Sequence, residues 1–558
     1  MLSHARRVPG WLVLLPVGFG VLAVLLGKDN NVDLMHYYYL PFAWMSGRFG
    51  HDLLPTGIVT FFNPLLDVPF YWANQHLPAI TITFLLGALH GVNGILIWLI
   101  ARHTLRLEPA GFEPLSHSRL GTRIAGVIGR PGASATLVML IGMLSLGSIY
   151  VVGTTYYDAL VGMPVFLALL LIARAGPAIF DGPLGRAIPV MLCAGMAVGA
   201  AVGLKQTVVP FAVGIGLALL LTPGPYRQRL ANAASYGVGL GIGVIAVSGF
   251  WLWHLWQLTG NPLFPYFNDL FHSPLAPVAS NRTRYAMPRN ALEAVTYPFV
   301  FTWAPWRITS PARDLKLLVA YLVVPVGIAC ALFGRRRGTG NRLAKPRFGL
   351  FLLIAMAATY VVWLWLFSIY RYVVPLEMLV PLLVVVAVGF MPLTTGRRLL
   401  ALAVLLLLVV PIQPSNSDRL PWGNLAWQPF VQVRPPDGFD FSAAMVVAPS
   451  WYPGWQPYAF VIPFFPPDMS FIYIVGREVP DVALVSRFLP EIADRIARHT
   501  GPLYVLYTPP GEADVAASLA RHGLVADFAG CRPVVANIGR PFALCPVSRG
   551  AGAMQAPR

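Results

Sequence analysis

The chain of 558 residues is 56% hydrophobic and 11% charged, with a mean hydropathy of +0.65, whereas soluble domains carry roughly 25% charged residues. This composition excludes an ordinary soluble domain and indicates a membrane protein. The net charge of +17 does not indicate nucleic-acid binding, because the basic residues lie in short loops between apolar runs, where they set membrane orientation.

The first apolar run, residues 10–27, predicts an uncleaved membrane span. It follows Arg6 and Arg7, but the residues after it are polar and contain no small-x-small cleavage site of the kind that ends a secretory signal. Ten further runs have a length close to the roughly 20 residues that cross a bilayer. They are 79–101, 133–152, 159–174, 187–204, 207–222, 233–256, 317–333, 348–368, 373–391 and 398–413.

The polar stretch "KDNNVDLMHYYY" separates the first two predicted spans. Asp29 and Asp33 are four residues apart and His36 is three residues further on, so all three share one face if the segment is helical. Tyr38 and its neighbouring tyrosines are typical of a helix at the membrane interface. A carboxylate there can accept a proton or coordinate a metal. The alternative is a solvated helix end.

Three further charged residues lie near predicted span ends on the same side of the membrane. Asp52 follows Gly50 and His51 in a turn-rich segment, and we give it a lesser site role. Asp158 begins the fourth span, where capping of the helix is an equally good interpretation. Lys205 lies in the tight turn between the fifth and sixth spans, where an ammonium group so close to hydrocarbon needs water or an anion.

Basic residues recur in two later segments of the same side. Arg282 and Arg284 lie in the long loop 257–316, and Arg371 lies in "SIYRY". Arginine binds phosphate through two parallel hydrogen bonds, although a basic surface patch is the simpler interpretation of the loop. Glu377, two turns beyond Arg371, is an intramembrane carboxylate and thus a functional candidate, unless it only pairs with Lys205 or Arg371.

The chain after the last span predicts a linker at 415–440 and a small α/β domain at 441–558. The linker is rich in Pro, Trp and Asn. The segments "AMVVAP", "AFVIPF", "FIYIV" and "PLYVLYT" predict strands, and 482–499 and 512–522 have helical periodicity. Cys531 and Cys545 lie in two apparent terminal strands and predict a disulfide, with two unpaired thiols as the alternative.

The basic loops predict a cytoplasmic N-terminus and an extracytoplasmic C-terminal domain, in the inner (plasma) membrane. The predicted fold is therefore an α-helical polytopic membrane domain, residues 1–414, followed by the linker and an extracytoplasmic α/β domain. We expect membrane lipids as partners and no nucleic acid.

Several of these features together resemble the GT-C membrane glycosyltransferases. They are the acidic first loop, the turn at Lys205, "TGNPLFPYFN" in a later loop and the "YRY" at Arg371. The resemblance covers about residues 1–413 and is to enzymes such as the protein mannosyltransferases and the lipid A aminoarabinose transferases. It implies transfer of a sugar from a polyprenyl-phosphate donor to an extracytoplasmic acceptor, a cell-envelope glycan or lipid.

The resemblance also implies roles for individual residues. Asp33, with Asp29 second, corresponds to the catalytic base or acceptor-orienting acid of the first loop. Lys205, Arg371 and, further, Arg282 and Arg284 correspond to the cations that hold the carrier phosphate. The predicted substrate-binding residues are His36, Tyr38, Asp52, Asp158, Lys205, Arg282, Arg284, Arg371 and Glu377.

The chain departs from the family pattern at one point, because it has no adjacent Asp-Glu pair like that of the protein mannosyltransferases. A protein acceptor is thereby disfavoured, no cofactor is assigned, and dependence on a divalent metal stays open. Two other functions are considered, a lipid-linked oligosaccharide transporter and a polymerase or ligase of surface polysaccharide. The first should show internal symmetry and charges deep along one cavity, and the second an arginine-rich loop late in the spans.

Overall fold

The computed structural model describes most of the chain. The described residues are 9–30, 32–106, 131–278, 285–334, 343–410, 418–450, 458–475, 484, 487–539 and 541–550, without the side chains of 32–36, 131, 177, 450 and 475. The chain is mostly helical and ends in a sheet-containing region. It divides into two compact units, each built from three separate stretches of chain.

Seven helices within the described residues are long and apolar enough to cross a membrane. They are Ala79–Thr104, Asp158–Ala175, Leu184–Leu204, Tyr226–Thr259, Lys316–Phe333, Pro346–Leu366 and the continuous helical stretch Tyr370–Phe390. Each coincides with a predicted span. The chain is therefore a multi-pass membrane protein by the length and composition of its helices.

The other four predicted spans coincide with shorter helices. These are Leu14–Leu26 after a 3-10 turn, Pro131–Met143, Val209–Leu221 and Thr395–Leu408. The predicted span 133–152 is interrupted, because the Ser145 side chain accepts a hydrogen bond from the Ser148 backbone N–H and starts a new helix, Leu146–Val151. Ser145 is thus an N-cap, a role that its short oxygen-bearing side chain favours.

The first unit comprises residues 1–25, 84–248 and 282–417. Its central helix, Val374–Phe390, is buried along its whole length. It packs against Lys316–Phe333, Pro346–Leu366 and Pro131–Met143. A helix that is apolar on every side, as this one is, is stable only when neighbouring helices surround it.

The second unit comprises residues 26–83, 249–281 and 418–558. Among its described residues, β1 (Lys28–Asp29) and β2 (Arg419–Leu420) form a two-stranded ribbon. Seven further strands form one sheet: β3 (Val433–Arg434), β4 (Met445–Ser450), β5 (Ser470–Val475), β6 (Leu503–Tyr507), β7 (Leu524–Ala526), β8 (Arg532–Ala536) and β9 (Phe542–Arg549). β4 pairs in parallel with β5 and β6, whereas β9 is antiparallel to β6, β7 and β8. Helices Leu489–Arg498 and Glu512–Ala520 complete the α/β arrangement.

The structure joins Cys531 to Cys545 in a disulfide, as the sequence predicts. The other two cysteines, Cys193 and Cys330, are free thiols in helices. One predicted strand is wrong: "AFVIPF" forms a 3-10 helix, Ala459–Phe464. Pro463 lies inside this segment and has no N–H to donate to a strand ladder, so the apolar run is buried in helical form.

The predicted first loop is part of the sheet unit. β1 (Lys28–Asp29) pairs with β2 (Arg419–Leu420) in a separate two-stranded ribbon, and Leu53 forms a bridge to Ile472 of β5. Helices Val32–Met45, Val68–His76 and the 3-10 turns Gly57–Phe61 and Pro64–Leu66 complete this segment. The unit thus combines residues that the sequence assigned to the membrane domain, the linker and the C-terminal domain.

Candidate functional site: a cation cluster and an acidic segment

Lys205 and Asp158 meet at the ends of two neighbouring helices of the first unit. Asp158 is the first residue of Asp158–Ala175, and Lys205 directly follows Leu184–Leu204. Because these helices form a hairpin, the end of the second returns to the start of the first. The Lys205 Nζ donates to Asp158 Oδ1 at 2.7 Å and to the backbone oxygen of Tyr156.

Arg371 joins this pair from a third segment. It lies in the 3-10 turn Tyr370–Val373, which leads into the central helix. Its guanidinium lies 4.4 Å from the ring centroid of Tyr156 and 5.3 Å from that of Tyr372. Its Nε is 4.0 Å from Asp158 Oδ2. Three of the predicted residues, far apart in sequence, therefore form one group, here named the cation cluster: Asp158, Lys205 and Arg371.

The cation cluster has more positive than negative charge. Lys205 and Arg371 each carry +1 and Asp158 carries −1, which leaves a formal charge of +1. The side chains of Lys205 and Arg371 are 12% and 19% exposed, while that of Asp158 is 2% exposed. A carboxylate so far removed from water is tolerated only beside cations. Asp158 thus lies beside two cations whose side chains are partly exposed.

Glu377 lies apart from the cation cluster in a second, fully buried ion pair. Its Oε1 is 3.8 Å from the Nζ of Lys316, and both side chains have no exposed surface. Its carboxylate also accepts a hydrogen bond from the Gly147 N–H at 3.2 Å. A Cβ at position 147 would overlap Oε2 of this carboxylate, so only glycine fits there. The partner of Glu377 is therefore Lys316 and not Lys205 or Arg371, and its predicted substrate-binding role stays a prediction.

Lys316 is a residue that the sequence analysis missed. It begins the helix Lys316–Phe333, one residue before the predicted span, and its Nζ is also 3.3 Å from Asp314 Oδ2. A lysine at a span end is ordinarily solvated. The sequence indicates Asp314, two residues away, as a partner for Lys316, but it does not indicate that Glu377 also approaches this lysine.

The acidic segment of the second unit begins with a tight turn and a short strand. Gly27 has φ +100°, a left-handed backbone conformation that favours glycine. The turn at Gly27 leads directly into β1. Lys28 is fully buried and its Nζ donates to the backbone oxygen of Asn537 at 2.9 Å. Burial lowers the pKa of Lys28 to about 7, although the Asp29 carboxylate opposes this shift. Asp29 is also buried.

Asp33 lies in the first turn of helix Val32–Met45, whereas Asp29 lies in β1 before this helix, so the three residues Asp29, Asp33 and His36 do not share one helical face. The side chains of Asp33 and His36 lie outside the described residues, as do Arg282 and Arg284 in full. The predicted roles of these four residues stay predictions.

Tyr38 and Asp52 are buried parts of the second unit. Tyr38 stacks on Phe464 with 6.0 Å between ring centroids, and its hydroxyl accepts a hydrogen bond from Asn74 Nδ2 at 2.9 Å. Asp52 binds the Arg48 guanidinium through two hydrogen bonds of 2.8 Å. It also accepts from the Tyr39 hydroxyl and the Phe471 backbone N–H, at 2.9 and 3.0 Å. Both side chains therefore stabilise the second unit, and their predicted substrate-binding role stays a prediction.

A small cavity, with a volume of about 20 Å³, adjoins the chain segment that carries Asp158. Thr154, Tyr157 and Ala159 line it together with His90 of helix Ala79–Thr104. The His90 Nε2 lies 2.8 Å from the Ser148 hydroxyl, so this histidine joins two segments of the helical unit.

Within the described residues, no group of three or more His, Cys, Asp or Glu side chains is arranged to hold a metal ion.

Comparison with known proteins supplies no relative for this chain. No family model matches it, and neither a curated protein nor a solved structure matches it significantly.

Proposed function

We propose that the chain is an integral membrane glycosyltransferase that moves a sugar from a polyprenyl-phosphate donor to an extracytoplasmic cell-envelope glycan or lipid. The observation that carries this proposal is the cation cluster, in which Lys205 and Arg371 both approach the Asp158 carboxylate at the ends of apolar helices. The resemblance to GT-C enzymes suggests that the reaction is glycosyl transfer, and the cation cluster supports a donor that carries a phosphate.

The two cations of the cluster complement a lipid-linked phosphate. A polyprenyl-phosphate sugar combines an apolar chain with an anionic phosphodiester, so its phosphate lies where apolar helices end. Arg371 and Lys205 would hold that phosphate by charge-assisted hydrogen bonds. As the sugar leaves, negative charge grows on the departing phosphate, and fixed cations stabilise it more in the transition state than in the ground state.

The second requirement of the reaction is a group that orients or deprotonates the acceptor hydroxyl. Asp33 is the first choice for this role, because it corresponds to the first-loop acid in the resemblance to GT-C enzymes, and the buried Asp29 of β1 is the second choice. A carboxylate that accepts the hydroxyl proton as the new glycosidic bond forms contributes about 10²- to 10⁴-fold to the rate.

Donor binding tests the proposal. We expect the full chain in detergent to bind farnesyl phosphate and to discriminate against farnesol, which lacks the phosphate. Arg371→Ala should weaken binding of farnesyl phosphate by about 1.5–3 kcal/mol, or roughly 10- to 100-fold, the range for a hydrogen bond to a charged group. Farnesol binding should not change.

Arg307→Ala is the matched control. Arg307 also lies in a 3-10 turn, its side chain is 19% exposed like that of Arg371, and it stacks on a tyrosine. It is fully paired with Glu293 at 2.8 Å, so its removal should leave phosphate binding unchanged. Because Lys205→Met alone would remove the nearer of the two cations beside the buried Asp158 carboxylate, Lys205 is tested as the double variant Lys205→Met, Asp158→Asn. Equal weakening by Arg307→Ala and Arg371→Ala would contradict the proposed site.

Transfer itself is measured with sugar-labelled polyprenyl phosphates and envelope extracts as acceptors. Asp33→Asn should bind the donor normally and lower the transfer rate by about 10²- to 10⁴-fold. A parental rate in Asp33→Asn with a slow Asp29→Asn would move the role to Asp29. Release of the intact lipid-linked glycan on the other side of a vesicle, without bond cleavage, would instead indicate a transporter, and growth of a repeating polymer would indicate a polymerase.

A further inference from the structure

The loop between β8 and β9 contacts the acidic segment on both sides of Asp29. The backbone oxygen of Asn537 accepts a hydrogen bond from Lys28 Nζ at 2.9 Å. Two residues later, the Gly539 N–H donates to the Asn30 side-chain oxygen at 2.6 Å. Lys28 and Asn30 are the immediate neighbours of Asp29 in the chain. The β8–β9 loop therefore forms hydrogen bonds with the residue before Asp29 and with the residue after it.

The β8–β9 loop is itself held firmly. The Asn537 side-chain oxygen accepts from the Gln432 N–H at 2.8 Å, and its Nδ2 donates to the Pro429 oxygen at 2.9 Å. The backbone N–H of Asn537 donates to the Gln432 oxygen at 3.1 Å. Asn537 thus links its own loop to the segment 429–432 and to Lys28, through its side chain and its backbone.

The opposite edge of the acidic segment is held by the chain that follows the last helix. Lys28 pairs with Leu420 and Asp29 with Arg419 in the β1–β2 ribbon. The Asn30 N–H donates to the Asp418 oxygen at 3.0 Å. The Lys28 ammonium also lies 5.0 Å from the Phe430 ring centroid. Residues 28–30 are therefore fixed by two segments of the C-terminal part of the chain.

We propose that the β8–β9 loop is a positioning element of the reaction site, which fixes the backbone from which helix Val32–Met45 and its Asp33 start. This inference rests on the proposed function and gives the C-terminal sheet a part in catalysis. Helix Val32–Met45 begins two residues after Asn30, so a displacement of the Asn30 backbone would change where the first helical turn starts. A catalytic group must be held within about 0.5 Å of its productive position, and supporting hydrogen bonds supply that precision.

Three variants of the full chain test the inference. Asn30→Ala removes the acceptor for the Gly539 N–H, and Asn30→Asp keeps an oxygen there. Asn63→Ala is the matched control, because the half-buried Asn63 likewise accepts one backbone hydrogen bond, from Leu65 at 3.0 Å, in the same unit but at a different turn. Hydrogen–deuterium exchange of residues 28–33 reports how firmly the segment is held, whether or not the protein transfers sugar.

We expect Asn30→Ala to exchange amides 28–33 about tenfold faster and to lower kcat for transfer at least tenfold, with an unchanged dissociation constant for farnesyl phosphate. Asn30→Asp should restore both, and Asn63→Ala should change neither. Unchanged exchange, or parental kcat in Asn30→Ala, would overturn the positioning role alone. A parent that binds no farnesyl phosphate and transfers no sugar would overturn the proposed function, while the exchange data would still show whether the loop holds the segment.

Discussion

Lys28 is an ammonium group without exposed surface, and its titration links pH to stability. Burial lowers its pKa from 10.5 to about 7 in the folded chain. Between these two values the unfolded chain binds a proton that the folded chain does not. The free energy of unfolding therefore rises as pH increases through this window, and the contribution is lost as pH falls towards 7.

Lys28→Met removes this titration while keeping a long apolar side chain. We expect the unfolding temperature of the parent to rise more steeply between pH 7 and pH 9 than that of Lys28→Met. Thermal unfolding of both proteins in the same buffers measures this difference, and other titrating groups cancel in the comparison. Parallel pH profiles would show that Lys28 keeps its charge when buried.

At the residue scale, the sequence predicted charged residues better than it predicted their partners. Asp158, Lys205 and Arg371 were selected because each charge lies next to an apolar run, and that cost of placing charge near hydrocarbon is a local property. Asp52 has the same local signature, yet it is saturated by Arg48, Tyr39 and Phe471. Saturation depends on residues distant in the chain, which periodicity and composition do not reveal.

At the scale of elements, the Arg48–Asp52 ion pair attaches the first loop to strand β5. Asp52 Oδ1 accepts from the Phe471 N–H, and Leu53 bridges to Ile472. The Arg48 guanidinium also donates to the backbone oxygens of Pro467 and Met469, at 2.7 and 2.6 Å. The pair therefore orders both the loop and the chain that enters β5.

Asp52→Asn should destabilise the second unit by about 3–5 kcal/mol, because it leaves the buried Arg48 without a matching charge. Chemical denaturation followed by a probe in the sheet unit measures the loss. The control is Asp494→Asn, the same change in an exposed pair with Arg498, which should cost about 0–1 kcal/mol. Similar losses in both variants would mean that the Arg48–Asp52 pair contributes no more than a surface ion pair.

The elements themselves were mostly predictable. Apolar length predicted a helix in each of the eleven regions, and short apolar runs predicted strands β4, β5 and β6. The error at "AFVIPF" has a physical origin, because a short, fully buried apolar run carries no periodicity that separates strand from helix. The 3-10 helix there packs against helix Val32–Met45, a contact that no local pattern predicts.

At the scale of the whole molecule, the sequence predicts orientation through the distribution of its basic loops. We expect the N-terminus and the loop 334–347 in the cytoplasm and residues 415–558 outside. Reporters fused after Arg347 and after Arg558, each active on one side of the membrane only, measure this. Activity on the same side for both fusions would contradict the orientation.

The division into units was not predictable in the same way. The sequence placed one boundary near residue 414, where composition changes. The structure instead groups residues 26–83 and 249–281 with residues 418–558. That grouping depends on hydrogen bonds such as Lys28 to Asn537 and Asp52 to Phe471, which join residues hundreds of positions apart.

These long separations in sequence determine when, during synthesis, the second unit can finish folding. Asp52 precedes Phe471 by 419 residues and Lys28 precedes Asn537 by 509. At about 5–20 residues per second, a ribosome needs roughly 20–100 s to reach the partners of the first loop. During that time the segment 26–83 has left the ribosome but cannot complete its fold, because the strands that it pairs with, β2 and β5, are not yet made. The second unit is thus finished only after synthesis of its last strands, and a nascent chain that stops before β5 exposes an incomplete first loop to chaperones and proteases.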